Sequence, residues 1–127
     1  MKQIVKSEKA PAALGPYSHA VAFGELVFTS GQLGIDPATG KFAEGVEAQA
    51  RQALENLRNV LEASGCSLAD AVKTTVFVVD LADFAKVNAV YAAFFGPDYP
   101  ARSCVQVAAL PGGGLVECEC VAVKSAR

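Results

Sequence analysis

Arg102 opens a short β-favouring run, Ser103 to Ala108, and Glu117 lies fifteen positions further on (117 − 102) in the next such run. A guanidinium grips a carboxylate through two parallel N–H bonds, which lysine cannot do. A carboxylate near the same point orients or deprotonates a water. If the two runs pair as a hairpin, Arg102 and Glu117 lie near each other, and the chemistry is water addition to a small anion. The plainer reading is a cross-strand surface pair, worth about 0.2–1 kcal/mol.

Other candidates surround this pair. Cys104 invites a nucleophile reading, but His19 is the only histidine. Reactive thiols need a histidine or another cationic neighbour, so a small buried residue is the preferred reading. Tyr17, after Gly15-Pro16, either packs over a hairpin or reaches a cleft. Strand alternation puts it on one face with His19, which reads as structural. Ser30-Gly31 is either a strand kink or a place where a ligand approaches the backbone N–H. Glu119 shares a face with Glu117, and a structural or intersubunit role is preferred for it. Gly31-Gln32-Leu33-Gly34 is G-x-x-G, a weak motif in an order unlike an RNA-binding KH domain.

The elements that must position these residues follow from periodicity and punctuation. Ile4-Val5 starts a short strand, and Ala10 to Pro16 is a loop stiffened by two prolines. Tyr17 to Phe23 and Leu26 to Ser30 form a hairpin about Gly24-Glu25, continuing extended through Gly31 to Ile35. Asp36 to Gly40 is a turn. Val46 to Ala63 is the strongest helix, its apolar stripe being Val46, Ala50, Ala53, Leu54, Leu57, Val60 and Leu61. Gly65 ends it. Ala71 to Val79 is a strand that reads as covered on both faces. A second helix starts after Asp83 as N-cap, with a stripe of Phe84, Val87, Val90, Tyr91 and Phe94, and stops at Gly96-Pro97. Ser103 to Ala108 and Leu115 to Val123 are the last strands, joined through Pro111 to Gly114. The order is β-β-β-α-β-α-β-β, an α+β mixed sheet with both helices packed on one face. The other face keeps apolar side chains, so self-association is expected.

Composition narrows the function classes. The 127 residues suit one domain over 1–127. Net charge is −2 and the basic residues are scattered. That disfavours an electrostatic nucleic-acid partner. No apolar stretch reaches the roughly 20 residues that span a bilayer, so no membrane role is expected. No signal-peptide core appears at the N-terminus, and a cytoplasmic location is the default. Cys66, Cys104, Cys118 and Cys120 read as free thiols. With one histidine and no C-x-x-C, no metal site is expected.

Several segments together resemble the RidA (YjgF/YER057c/UK114) family. They are Pro100-Ala101-Arg102-Ser103, Leu110-Pro111, Val116-Glu117, Gly15-Pro16-Tyr17-Ser18, Thr29-Ser30-Gly31-Gln32, Gln49 to Leu57, Val72 to Phe77, Phe84 to Asn88, Tyr91 and Phe94-Phe95. The likeness covers nearly the whole chain. Cys118 and Cys120 stand where aliphatic or small residues are usual, and Gly112-Gly113-Gly114 replaces a more polar turn.

The resemblance implies a chorismate-mutase-like fold and a homotrimer with clefts between subunits. It implies hydrolytic deamination of 2-aminoacrylate and 2-iminopropanoate-type enamines and imines to 2-keto acids and ammonia. In that reading Arg102 grips the substrate carboxylate and Glu117 holds or activates the water. Gly31 and Cys104 offer backbone N–H groups, and Tyr17 and Ser30 line the cleft. Asn88 is structural or cleft-forming. No metal or organic cofactor is implied. The alternatives are a non-catalytic 2-keto acid binder or regulator, an RNA-cleaving or translation-inhibiting protein, and a chaperone-like holdase. Arg102 and Glu117 favour catalysis over the first, and the acidic balance counts against the second.

Overall fold

The structure is a computed structural model and describes residues 1–125. The strands are β1 (Gln3–Val5), β2 (Ala20–Phe23), β3 (Leu26–Thr29), β4 (Gln32–Leu33), β5 (Ala71–Val78), β6 (Ala101–Gln106) and β7 (Val116–Val123). The helices are α1 (Val46–Ala63) and α2 (Phe84–Phe95). One mixed sheet runs β1-β2-β3-β7-β5-β6, with β4 also on β7. The α+β class and the helices on one sheet face are as the sequence predicts. The third predicted strand is divided at Ser30-Gly31. From Phe28↔Val121 to Gln32↔Cys118 the chain advances four residues on one strand and three on the other. The extra residue bends the strand there, as a bulge does.

The hairpin on which the Arg102–Glu117 juxtaposition is conditional does not form. β6 runs parallel to β5 after the α2 crossover, and β7 pairs with the other edge of β5. A parallel partner needs a crossover, and α2 supplies it. β7 is then left to insert between β3 and β5. β5 alternates cleanly, with Thr74, Val76 and Val78 buried, rather than being covered on both faces. β2 begins at Ala20, so Tyr17 lies in the preceding loop and shares no strand face with His19.

α1 ends where expected, by a Schellman motif. Gly65 takes φ 86°, its N–H donates to the Glu62 carbonyl, and the Cys66 N–H donates to that of Leu61. Its stripe supplies the fully buried Leu57, Val60 and Leu61. Two polar residues of α1 are buried with it. Asn56 Nδ2 donates to the carbonyls of Leu33 (3.0 Å) and Ile35 (2.9 Å). Gln49 Nε2 donates to the Ala43 carbonyl, and its Oε1 accepts from the Leu115 N–H at 2.8 Å. Gly34 lets α1 approach: a Cβ there would stand 2.5 Å from Gln49 Cα. These contacts fix β4 and the start of β7 relative to each other. α2 starts without a side-chain cap from Asp83. The capping carboxylate is Asp80, which accepts from the Ala82 N–H ahead of the helix.

The helix-free face carries exposed Ile4, Phe23, Leu26, Phe28 and Val105. No helix among the described residues is long and apolar enough to cross a membrane.

Candidate active site

Glu117 projects from β7 on the helix-free face, whereas its neighbours Val116 and Cys118 are buried on the opposite face, under the helices. Its carboxyl occupies the space above Gly31, whose Cβ would meet Glu117 Cδ at 2.7 Å. Glycine at 31 is therefore a packing requirement of the carboxylate. Tyr17, Ser30, Gly31, Glu117 and Glu119 line a cavity of about 490 Å³, with apolar walls that include Leu14 and Pro111. Burial raises the Glu117 pKa above the ordinary carboxylate range, and the Glu119 charge raises it further.

The loop that carries Tyr17 is tightly held. His19 Nδ1 accepts from the Ser7 N–H at 3.0 Å, so Nε2 holds the ring proton and donates it to the Pro11 carbonyl at 2.8 Å. Both ring nitrogens are committed, and His19 is structural. Ser30 Oγ donates to the Ser18 carbonyl at 2.6 Å, which leaves its lone pairs for the cavity. Tyr17 Oη accepts from the Leu14 N–H at 3.1 Å, which leaves its proton free to donate.

Arg102 sits elsewhere. It pairs with the buried Thr74 and so projects on the helix side of the sheet. Nη1 donates to Asn88 Oδ1 at 2.7 Å, and Cζ lies 4.8 Å from the Tyr91 ring centroid and 5.4 Å from that of Phe84. Arg102 lines a groove together with Asn88, Tyr91, Ala92, Tyr99 and Pro100. Glu117 lies opposite Phe77, two strands and three residues from Arg102, a Cα separation of about 14 Å from strand spacing and rise. The two side chains point to opposite faces. Arg102 and Glu117 thus neither share a groove within one chain nor form an ion pair. Among the described residues the one ion pair is Lys6–Glu8, which is exposed.

Cys104 flanks Val76 across from Cys118. Burial raises its pKa, offset in part by Arg102, so it is a neutral thiol near pH 7. Cys118 is raised further by burial, and Cys120 is pushed up to about 12 by the same cause. All four cysteines are free. Among the described residues no cluster of three or more His, Cys, Asp or Glu could hold a metal.

Within one chain Tyr17, Ser30, Gly31 and Glu117 line one cavity and Arg102 lies apart from them, whereas sequence reasoning grouped all five in a cleft between subunits. It took Phe84 and Tyr91 for core stripe only and gave Asn88 no defined contact. The available signal was the spacing 84, 88, 91, one face of a helix.

The family model described as endoribonuclease L-PSP matches residues 7–124. A 2-iminobutanoate/2-iminopropanoate deaminase of Salmonella typhimurium is 54% identical, covering 98% of this chain and 99% of its own. The structure of Escherichia coli TdcF with bound serine superposes with a TM-score of 0.94 at 47% identity, covering 97% of this chain and 99% of that one. RidA from an Antarctic Psychrobacter species superposes with a TM-score of 0.93 at 51% identity, covering 95% and 98%.

Proposed function

This chain belongs to the RidA/YjgF family described by the endoribonuclease L-PSP model. From that membership we propose that it hydrolyses 2-iminopropanoate and 2-iminobutanoate-type imines, and their enamine tautomers, to 2-keto acids and ammonia. The observation that carries the reading is Arg102, a half-buried guanidinium held by an amide and two aromatic rings, with no carboxylate partner among the described residues. Its charge is left for an anionic ligand.

The chemistry needs little more than placement. The substrate carboxylate pairs with Arg102, and backbone N–H groups at Gly31 and Cys104 add donors. Glu117, whose burial makes it a better base than an ordinary carboxylate, takes a proton from water as the oxygen adds to the C=N carbon. The product is a carbinolamine. Returning that proton to nitrogen completes it, and transfer of the hydroxyl proton to nitrogen through Glu117 as the C–N bond breaks releases ammonia and leaves the C=O. Tyr17 donates to the water or to the developing oxygen.

Arg102 and Glu117 lie on opposite faces of one sheet, so a complete site needs Arg102 of one chain and Glu117 of a neighbour. We therefore read the protein as one domain over 1–127 that forms a homotrimer through the apolar helix-free face, with its sites between subunits. An RNA-cleaving activity is disfavoured, because Glu117 and Glu119 line the larger cavity and repel phosphates.

The test generates 2-aminoacrylate with a serine dehydratase and follows pyruvate release with wild type and Arg102→Ala. Wild type should accelerate release and the variant should not. Equal rates for the two reject the reading.

A further inference from the structure

Phe84, Asn88 and Tyr91 follow one another at spacings of four and three and form one face of α2. All three meet Arg102. Tyr91 is itself immobilised, its hydroxyl bonded to the fully buried Thr74 Oγ1 at 2.7 Å and its ring stacked on Phe95 at 4.5 Å. Asn88 spends one of the five guanidinium N–H groups and supplies a neutral acceptor. The unit charge of Arg102 therefore survives the contact. An aspartate of the same shape would make the same bond, but it would neutralise that charge and compete with a ligand carboxylate for the remaining N–H groups.

We propose that the Phe84–Asn88–Tyr91 face of α2 is a neutral cradle that orients Arg102 for an incoming carboxylate, with Asn88 as a positioning residue whose lack of charge sets the affinity. The inference rests on Arg102 as the carboxylate anchor of the proposed reaction. The aromatic faces favour the cation without neutralising it. The amide fixes the rotation of the guanidinium plane, which two ring contacts alone leave free.

The probe is 2-oxobutanoate, a monocarboxylate 2-keto acid that binds without turnover. Calorimetry compares wild type with Asn88→Ala and Asn88→Asp, and thermal unfolding is recorded for each. Asn88→Ala loses one orienting bond, and Kd should rise about tenfold. Asn88→Asp keeps the shape but adds an ion pair, and Kd should rise about a hundredfold. The stability order should run the other way, with Asn88→Asp at least as stable as Asn88→Ala, because the new pair is formed. A purely structural role would move both measurements together. An Asn88→Asp variant that binds as tightly as Asn88→Ala, or more tightly, overturns the proposal.

Should Asn88→Asp fail to fold, Asn88→Gln and Asn88→Glu pose the same question one methylene further out. Weaker binding by Asn88→Glu supports the cradle, and equal binding overturns it. A wild type that binds 2-oxobutanoate but hydrolyses no imine rejects the deaminase reading and leaves this one standing. A wild type that binds none rejects both.

Discussion

The β6–α2 edge and the Gly31–β7 face prepare their charged groups by opposite means. Arg102 is surrounded by contacts that leave its charge intact: an amide, two rings and no acid. Glu117 is prepared by a missing side chain, since Gly31 opens the space its carboxyl fills, and by burial beside another carboxylate. Brought together in one chain, the two groups would neutralise each other and lower the Glu117 pKa, spoiling both base and anchor. With β5 between them and their side chains on opposite faces, no such pair forms during folding of a single chain. In the proposed site, supplied by two chains, the ligand rather than the other side chain takes up each group.

The largest effects test that separation directly. Arg102→Ala and Glu117→Gln should each lower deaminase kcat/KM by about a thousandfold, as lost charge placement commonly does. Co-refolded in equal amounts, the two inactive variants should recover about a quarter of wild-type activity, because a site between neighbours then has one chance in four of drawing both intact residues. A mixture no more active than its components would show that the two residues do not serve one shared site.

The Glu117 side has less slack than the Arg102 side, and Gly31→Ala measures how much less. A methyl at 31 lands 2.7 Å from Glu117 Cδ and 2.9 Å from its Cγ. The flexible end of Glu117 must swing away, so the expected loss is about 10- to 100-fold in kcat with little change in KM. Because the atoms met are the far end of a flexible side chain, the cost in stability should be small. A kcat equal to wild type, with an unchanged melting temperature, would mean that the carboxyl does not depend on that space.

Much of this was legible locally. The limits of α1, the turn at Gly24-Glu25 and the special backbone at Gly31 follow from periodicity and from what glycine permits, but that Gly31 makes room for the Glu117 carboxyl emerges only from the β4–β7 pairing. The β6–β7 relation was not legible. Adjacency along the chain favours a hairpin, whereas the α2 crossover lays β6 parallel to β5 and sends β7 to its other edge. Long-range pairing of that kind leaves no trace in the turn residues. Asn56 and Gln49 were equally hidden. Their positions on α1 look polar and exposed until β4 and the start of β7 arrive to use their amides. Phe84 and Tyr91 show a further limit, because an aromatic stripe at helical spacing reads as core whether it packs on leucine or on a guanidinium.

The acid side of the pH profile sharpens the comparison further. In the proposed reaction Glu117 serves as base only when ionised, so activity should fall as pH drops through its raised pKa. Glu119→Gln removes the like charge and should move that limb to lower pH. The movement should be smaller than the rise that burial causes, because burial is the larger cause. Stability has the opposite sign. The folded chain holds the Glu117 proton to higher pH than the unfolded chain does. Between those two values the native state carries more protons, and stability falls as pH rises. Glu117→Gln should therefore remove that fall while it removes activity. A limb that does not move in Glu119→Gln, or that moves upward, would break the assignment.

The smallest expected effect is at Cys104, two residues from the guanidinium and on the same sheet face as Val76 and Cys118. Burial keeps its thiol protonated near pH 7 despite Arg102, and the one histidine, His19, is tied to Ser7 and Pro11. A thiol in that state is a poor nucleophile. In the proposed reaction position 104 contributes only its backbone N–H, which alanine retains. Cys104→Ala should therefore change kcat/KM by less than about threefold, whereas loss of a covalent nucleophile typically costs orders of magnitude. Iodoacetamide should likewise label Cys104 slowly and leave turnover largely intact. A fall as deep as that of Arg102→Ala would move the chemistry from the space between the two charged groups to the sulfur itself.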